Sequence, residues 1–226
     1  MDTQNFEDSL YQKTYSCPVC KNKFKSSEIR KGKTVFVETD LGLRQIFNPI
    51  MPDYYQALVC EDCGYAGVIK NFENLSPIQI RNIKEKTHPN YIPPKYPLVY
   101  DAKIAIDRYK KALYFAHIKG DETSERAYIA QKLALIYEDI KDEQNSAQYF
   151  NYAYNWYSEA YIEEDFPIMG MEEPHFLYNI AYLAYRIGNV EEAKKTLSKV
   201  TLNTSVSPTL KEKTDDFIQI LKSLEK

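Results

Sequence analysis

Glycine, cysteine, histidine and tryptophan are all scarce in this chain. Its 226 residues include 7 Gly, 4 Cys, 3 His and 1 Trp. The sequence has no Gly-rich phosphate loop, no serine nucleophile elbow and no His-Glu-x-x-His motif. These absences exclude the catalytic arrangements that a sequence most readily reveals, and we therefore expect the protein not to be an enzyme.

Long apolar runs and a strong excess of positive charge are also missing. No stretch approaches about 18 consecutive apolar residues, and the start, Met1–Asn5, has neither a basic nor an apolar leader segment. The net charge of −3 argues against a chain built mainly to neutralise phosphates. We expect a cytoplasmic protein without a membrane partner, in a reducing compartment where cysteines bind metal rather than form disulfides.

The cysteines form two Cys-x-x-Cys pairs, Cys17 with Cys20 and Cys60 with Cys63. Each pair aims two sulfurs at one point, and two pairs supply the four soft ligands of a tetrahedral structural zinc. The sequence therefore predicts a structural Zn²⁺ at these four residues. Two alternatives stay open: a redox dithiol, because Cys-Pro-x-Cys suits thiol exchange, and an iron site, because Cys-x-x-Cys-Gly-Tyr is similar to the iron turn of rubredoxins.

Short segments rich in β-branched residues surround the cysteines, at 33–39, 55–59 and 64–69. A strand, a cysteine turn and a second strand are the layout of a zinc ribbon. We therefore predict an N-terminal arm at 1–14 and a zinc-ribbon-like β domain at 15–72.

The residue just past each cysteine pair needs a positive φ for backbone N–H groups to point at sulfur. Gly64 takes this conformation at little cost after the second pair. Lys21-Asn22 follows the first pair, and Asn is the next most tolerant residue type.

The rest of the chain changes to helical periodicity. Ser76-Pro77 predicts the start of a short helix, and residues 73–97 continue as a proline-rich connector that marks the domain boundary. Over 98–226 the 3.6-residue period predicts an all-α domain of tetratricopeptide-like helical hairpins, the clearest at 177–200. The predicted fold class is α+β.

Two further residue sets are candidate binding surfaces. Tyr149, Tyr152 and Trp156 share a helical stripe that either packs in the core or forms a groove for a protein or peptide. A basic set near the first cysteine pair could bind nucleic acid. It consists of Lys21, Lys23, Lys25, Arg30, Lys31 and Lys33.

The three histidines, His88, His117 and His175, share no spacing with the cysteines, and we interpret them as surface or capping residues.

Several of these segments together resemble a known family. The sequence is similar to a bacterial family of uncharacterised proteins, classed as a domain of unknown function. The similar segments are Cys17–Cys20 followed by Phe24, Asn48-Pro49, Val59–Ala66 and the helical segment Gly188–Ala193. The resemblance implies a zinc-ribbon-like head on tetratricopeptide-like helices, and it brings no established activity. Members often have a further cysteine with aromatics where this sequence reads Leu41-Gly42-Leu43-Arg44.

The leading hypothesis from the sequence is a zinc-binding, non-enzymatic scaffold or adaptor that binds an unknown protein or peptide. A nucleic-acid-associated module that uses the basic set is the first alternative, and a thiol redox protein is the second.

Overall fold

The structure is a computed structural model that describes residues 4–87, 94–120 and 122–224. A region of short strands, within residues 10–68, is followed by seven helices in the described part of the chain, which confirms the predicted mixed α+β class. The strands are β1 (Leu10–Ser16), β2 (Lys23–Ile29), β3 (Val35–Thr39), β4 (Gln45–Asn48), β5 (Ala57–Val59) and β6 (Ala66–Val68). The helices are α1 (Gln4–Glu7), α2 (Pro77–Lys86), α3 (Ala102–Lys119), α4 (Thr123–Asp139), α5 (Glu143–Glu163), α6 (Glu173–Arg186), α7 (Val190–Leu202) and α8 (Pro208–Ser223).

The described residues divide into two compact units. The first contains residues 4–38, 45–87, 94–120 and 132–146, and the second contains residues 39–44, 122–131 and 147–224. Helix α3 belongs to the first unit, where it packs against β5 and β6. The domain limits at 72 and 97 stay a prediction, and His88 lies outside the described residues together with most of the proline-rich connector.

Three two-stranded sheets make up the strand region, each pairing consecutive strands: β1 with β2, β3 with β4 and β5 with β6. The predicted strands at 33–39, 55–59 and 64–69 are confirmed, with shorter bounds than the sequence pattern suggested.

The prediction of an N-terminal arm over residues 1–14 is wrong for residues 10–14, because these residues form part of β1. This strand pairs with β2 over its whole length, and Leu10 is buried in a cluster with Ile50, Tyr55 and Tyr100. The apolar pattern that predicts a strand is weak here, because the middle of β1 is polar and exposed, including Lys13 and Thr14. Cross-strand contacts with β2 replace an apolar pattern, since Lys13 pairs with the carboxylate of Glu28 at 3.0 Å.

Helix α2 begins as the sequence predicts. The hydroxyl of Ser76 accepts from the backbone N–H of Gln79, and the Gln79 side chain accepts from the N–H of Ser76, with Pro77 at the first helical position. Ile83 is fully buried, and α2 packs against α3.

In the second unit, α6 and α7 pack against each other across a tight turn at 187–189. Gly188 has a φ of 82°, and the side chain of Asn189 caps α7 by accepting from the N–H of Glu192. The apolar stripe of α7, with Ala193 and Leu197, is fully buried. A helical hairpin therefore lies where the sequence pattern placed one, and its likeness to a tetratricopeptide unit stays a prediction.

The turn 40–44 also belongs to the second unit and lies against α6. The hydroxyl of Tyr178 donates to the carbonyl oxygen of Leu41 at 2.9 Å. A Cβ atom added at Gly42 would lie 2.6 Å from ring carbons of Tyr182, closer than carbon atoms pack. Glycine at position 42 is thus required by a close approach of backbone to an aromatic ring. Among the described residues, no helix combines the length and the apolar character needed to cross a membrane.

Candidate metal centre

Two β-hairpins present the two cysteine pairs, one pair in each connecting turn. The turn between β1 and β2 contains Cys17 and Cys20, and the turn between β5 and β6 contains Cys60 and Cys63. In both turns the first cysteine donates its N–H across the hairpin end, from Cys17 to Asn22 O at 2.9 Å and from Cys60 to Tyr65 O at 2.8 Å. The two turns therefore repeat one backbone design.

The residue after each second cysteine closes the turn in the left-handed conformation. Lys21 has a φ of 67° and Gly64 a φ of 77°. Their N–H groups donate to the carbonyl oxygens of Cys17 and Cys60 at 3.0 and 2.9 Å. The tolerant residue at this place in the first turn was expected to be Asn22, and this is wrong: Lys21 takes the positive φ, because the turn closes on the fourth residue after the first cysteine.

The four cysteine sulfurs converge on one point. The Sγ atoms of Cys17 and Cys63 are 3.6 Å apart, and those of Cys20 and Cys60 are 3.7 Å apart. All four lie within 4.8 Å of one another. A tetrahedron of sulfurs about a metal at 2.3 Å has edges of about 3.8 Å. The cluster can therefore hold a metal ion in a four-coordinate site.

Backbone N–H groups point at the first sulfur of each turn. Those of Val19 and Cys20 are directed at Cys17, and those of Asp62 and Cys63 at Cys60. Each such hydrogen bond stabilises a thiolate. These hydrogen bonds therefore favour the thiolate, which is the form of cysteine that binds a metal.

The sulfurs also act on one another. Hydrogen bonding with Cys17 and Cys63 lowers the pKa of Cys60, whereas hydrogen bonding with Cys17 and Cys60 raises the pKa of Cys63. Sulfurs this close cannot all be thiolates without a cation among them, because like charges at this distance disfavour ionisation. A bound divalent ion removes that conflict, since it deprotonates its thiol ligands.

The cluster has a protected side and a side closer to solvent. Cys17 and Cys60 are buried, while Cys20 and Cys63 are half-buried. Behind them lies an aromatic core in which the rings of Tyr65 and Phe72 are 4.9 Å apart and Tyr65 meets Phe115 of α3 edge to face at 5.5 Å. The core therefore joins the second cysteine hairpin to α3.

Arg108 on α3 is a buried residue that the sequence analysis missed. Its side chain is 1% exposed. The guanidinium donates from Nε to the carbonyl oxygen of Ala57 at 3.0 Å and from Nη2 to Ser26 Oγ at 2.8 Å, with a further hydrogen bond from Nη2 to Ala57 O. Position 108 falls on the small-residue stripe of α3, between Ala105 and Ala112, so an arginine on a core stripe was the available signal.

Two tyrosine rings pack against this guanidinium, with ring centroids 4.1 Å (Tyr100) and 4.9 Å (Tyr96) from its carbon, and the two rings meet each other edge to face at 6.3 Å. The hydroxyl of Tyr100 also accepts from the backbone N–H of Ser27 at 3.0 Å. Burial acts to raise the pKa of Tyr100, but the charge of Arg108 and the hydrogen bonds from Ser26 and Ser27 outweigh it, and the pKa is lowered.

The basic set is not uniform. Lys21, Lys23 and Lys25 are exposed in the first cysteine turn and along β2. Arg30 is engaged with the adjoining strand, because its Nε donates to Leu10 O at 3.0 Å and its guanidinium lies over the Tyr11 ring. Lys31 and Lys33 are exposed in the loop before β3.

The aromatic stripe of α5 lies on the outer part of that helix. The Tyr152 ring stacks on Trp156 at 5.5 Å and meets Tyr149 edge to face at 5.8 Å. Tyr152 is 40% exposed, and Tyr149 and Trp156 are half-buried. The stripe of Phe150, Ala153, Tyr157 and Ala160 is buried instead. The two stripes that the sequence separated thus have different surroundings.

The histidines that the structure describes, His117 and His175, are both exposed. In the described part of the chain, the cluster of possible metal ligands consists of cysteines alone.

The positive φ at Lys21 yields a test of the turn design. Lys21→Gly should stabilise the metal-loaded protein by about 0.5–1 kcal/mol, because a side chain in the left-handed region is strained, and Gly64→Ala should destabilise it by about 1 kcal/mol. Denaturant unfolding of the metal-loaded protein measures both. Asn22→Gly is the matched control and should not stabilise; if it stabilised more than Lys21→Gly, our assignment of the turn would be wrong.

Neither the curated proteins nor the solved structures contain a match to this chain. The model of one family does match, over residues 10–222, a range that includes both cysteine turns, helices α2–α7 and all of α8 except its last residue. The chain therefore belongs to the family described as an uncharacterized protein conserved in bacteria (DUF2225).

Proposed function

We propose that this protein is a non-enzymatic adaptor in which Cys17, Cys20, Cys60 and Cys63 hold one structural Zn²⁺ in a zinc-ribbon-like arrangement. The observation that carries the metal site is the convergence of four sulfurs from two matching turns within 4.8 Å of one another, with two pairs at 3.6 and 3.7 Å, close to the edge length of a metal tetrahedron. Four protein ligands leave no open position for water or substrate, and this supports a structural rather than a catalytic role.

Zinc is the metal we favour. A tetrahedral all-thiolate site suits zinc or iron, and among divalent ions such ligands bind Zn²⁺ more tightly than Fe²⁺. Whichever metal binds, the strands need its support. β5 and β6 have three residues each, and an isolated two-stranded hairpin is at best marginally stable in water. Metal binding then contributes directly to the folding free energy of the first unit.

The metal-removal experiment tests this proposal. The purified protein should contain about one zinc per chain, and chelation should unfold the strand region, because structural zinc supplies on the order of 10 kcal/mol of apparent folding free energy in comparable sites. Elemental analysis and circular dichroism before and after chelation measure this. Cys20→Ser and Cys63→Ser should lose the metal, while Ser16→Ala, an exposed neighbour of the first turn, should keep it.

Other metal contents would change the conclusion. A coloured iron-containing protein would replace zinc by iron in the same site. A stable metal-free form with disulfides between these cysteines would support the thiol redox alternative and remove the structural site.

The adaptor role rests on the exposed face of α5. Residues 144–158 include no Asp, Glu, Lys or Arg in a chain that is 27% charged. Between the aromatic rings, this face exposes the amides of Gln148, Asn151 and Asn155. Interface centres are depleted of charge and enriched in Tyr and Trp. We name the surface formed by Tyr149, Tyr152, Trp156 and these three amides the uncharged face.

The chemistry of this face specifies the partner. The residues of this face offer no opposite charge to a charged partner group, which would lose its hydration there at a cost in free energy. The guanidinium of Arg126 beside the face lies over the Trp156 ring at 5.8 Å. The partner we propose is therefore a protein segment that presents an uncharged surface of apolar and amide side chains.

Alanine variants test the uncharged face. Tyr152→Ala and Trp156→Ala should each weaken partner binding by about tenfold or more, because stacked aromatics are the usual hot spots of an interface. Quantitative capture from a bacterial lysate, followed by affinity measurement with the recovered partner, gives the result. Ile162→Ala is the control, since Ile162 is 83% exposed on the same helix but outside the face. If folded Tyr152 and Trp156 variants bound like the wild type, this face would not be the interface.

Nucleic acid is the second candidate partner, supported by the exposed lysines on one hairpin. Lys23 and Lys25 alternate with buried Phe24, so both lie on the same face of β2, next to Lys21. Phosphate binding by these lysines would weaken steeply with salt. Oligonucleotide binding that is absent at low salt, or is unchanged when the three lysines are replaced by alanine, would remove this candidate.

A further inference from the structure

We infer that Arg108 is the positioning residue of the metal centre: its guanidinium holds the two cysteine hairpins at the separation at which the four sulfurs meet. The inference rests on the proposed zinc site and adds to it the residue that sets the geometry of that site from outside the ligand shell.

Arg108 contacts both hairpins at once. Ala57, whose carbonyl oxygen accepts from the guanidinium, is the first residue of β5, the strand that leads into Cys60. Ser26, whose hydroxyl accepts at 2.8 Å, lies on β2, the strand that leads away from the turn of Cys17 and Cys20. The two hairpins share no sheet, and this side chain joins them by hydrogen bonds from a single rigid group.

The position of the guanidinium is itself fixed by its surroundings. The rings of Tyr100 and Tyr96 pack against it at 4.1 and 4.9 Å and contact each other edge to face. Tyr100 is in turn tied to β2 through the N–H of Ser27 and to Tyr55, whose hydroxyl accepts from the N–H of Tyr100 at 3.1 Å. A small shift of the guanidinium would therefore disturb several contacts together. Rigid support of this kind is what keeps ligands near their productive geometry.

The chemistry of the residue also argues for a geometric role. Every hydrogen bond described for Arg108 is accepted by a neutral oxygen, so the buried charge is not offset by a carboxylate in these contacts. An apolar side chain would fill the same space without the cost of desolvating a charge. What a guanidinium adds is a planar fork of donors that can hold two acceptors at a fixed distance.

The experiment compares Zn²⁺ release and Co²⁺ spectra in four variants of the full chain. Arg108→Met removes the fork, Arg108→Lys keeps a charge but can reach only one hairpin well, and Ser26→Ala removes one acceptor. Tyr109→Phe is the matched control, because it deletes a buried hydrogen bond from the same helix to Asp53 O, outside both cysteine hairpins. Zn²⁺ release to a chromogenic chelator is timed under conditions in which each metal-loaded variant is folded.

Arg108→Met should release Zn²⁺ about tenfold faster than the wild type or more, the range found when groups that orient metal ligands are removed. Arg108→Lys should fall between the two, and Ser26→Ala should show a smaller change in the same direction. Tyr109→Phe should release like the wild type. The Co²⁺ form of Arg108→Met should show altered sulfur-to-metal and d–d bands, which a loss of overall stability alone would not produce.

The other outcomes separate the two hypotheses. If the wild type bound no Zn²⁺, the proposed function would fail. If the wild type bound Zn²⁺ tightly and the Arg108 variants released it at the same rate, or if Tyr109→Phe accelerated release as much as Arg108→Met, only the role of Arg108 would be overturned. If both Arg108 variants failed to fold, Ser26→Ala would decide: faster release with an unchanged Tyr109→Phe supports the role, and unchanged release overturns it.

Discussion

The meeting of four sulfurs from two separate hairpins is the constraint on which the first unit depends. Each cysteine turn is locally determined by its own hydrogen bonds, but neither hairpin shares a sheet with the other. Their relative position therefore depends on contacts other than strand pairing. These contacts include the sulfur cluster itself, whose spacing fits one metal ion, the packing of the Phe24 ring on Phe72 at 5.6 Å, and the buried hydrogen bonds that Arg108 of α3 makes with both hairpins.

These contacts differ in physical character, and the difference explains the layout around the cysteines. Aromatic packing of Tyr65, Phe72 and Phe115 supplies non-directional burial behind the second turn. The guanidinium supplies direction, because its donors have a fixed geometry. Burial alone would leave the hairpins free to slide by small amounts, and a tetrahedral site with sulfurs 3.6–3.7 Å apart tolerates little sliding.

The proposed partner surface and the cysteine cluster involve different features of the sequence. A four-thiolate site has no open coordination position and offers no substrate chemistry. The solvent-exposed surface of α5 has no charged side chain over residues 144–158. The opposite stripe of the same helix is buried. Membership of an uncharacterised bacterial family gives no activity to assign, so the proposed adaptor role depends on these residues and on the partner chemistry that they allow.

Local patterns in the sequence were enough for the features that depend on neighbouring residues. The Cys-x-x-Cys spacing identified the four cysteines that cluster, Ser76-Pro77 determined the start of α2, and the 3.6-residue period separated the buried stripe of α5 from its aromatic face. Only the tertiary structure revealed β1, whose polar residues are held by cross-strand contacts with Glu28; the left-handed Lys21, which the closure of the turn requires; and Arg108. The pairing of β1, the conformation of Lys21 and the contacts of Arg108 depend on partners distant in sequence or on how the backbone closes a turn. A local pattern of side chains predicts neither.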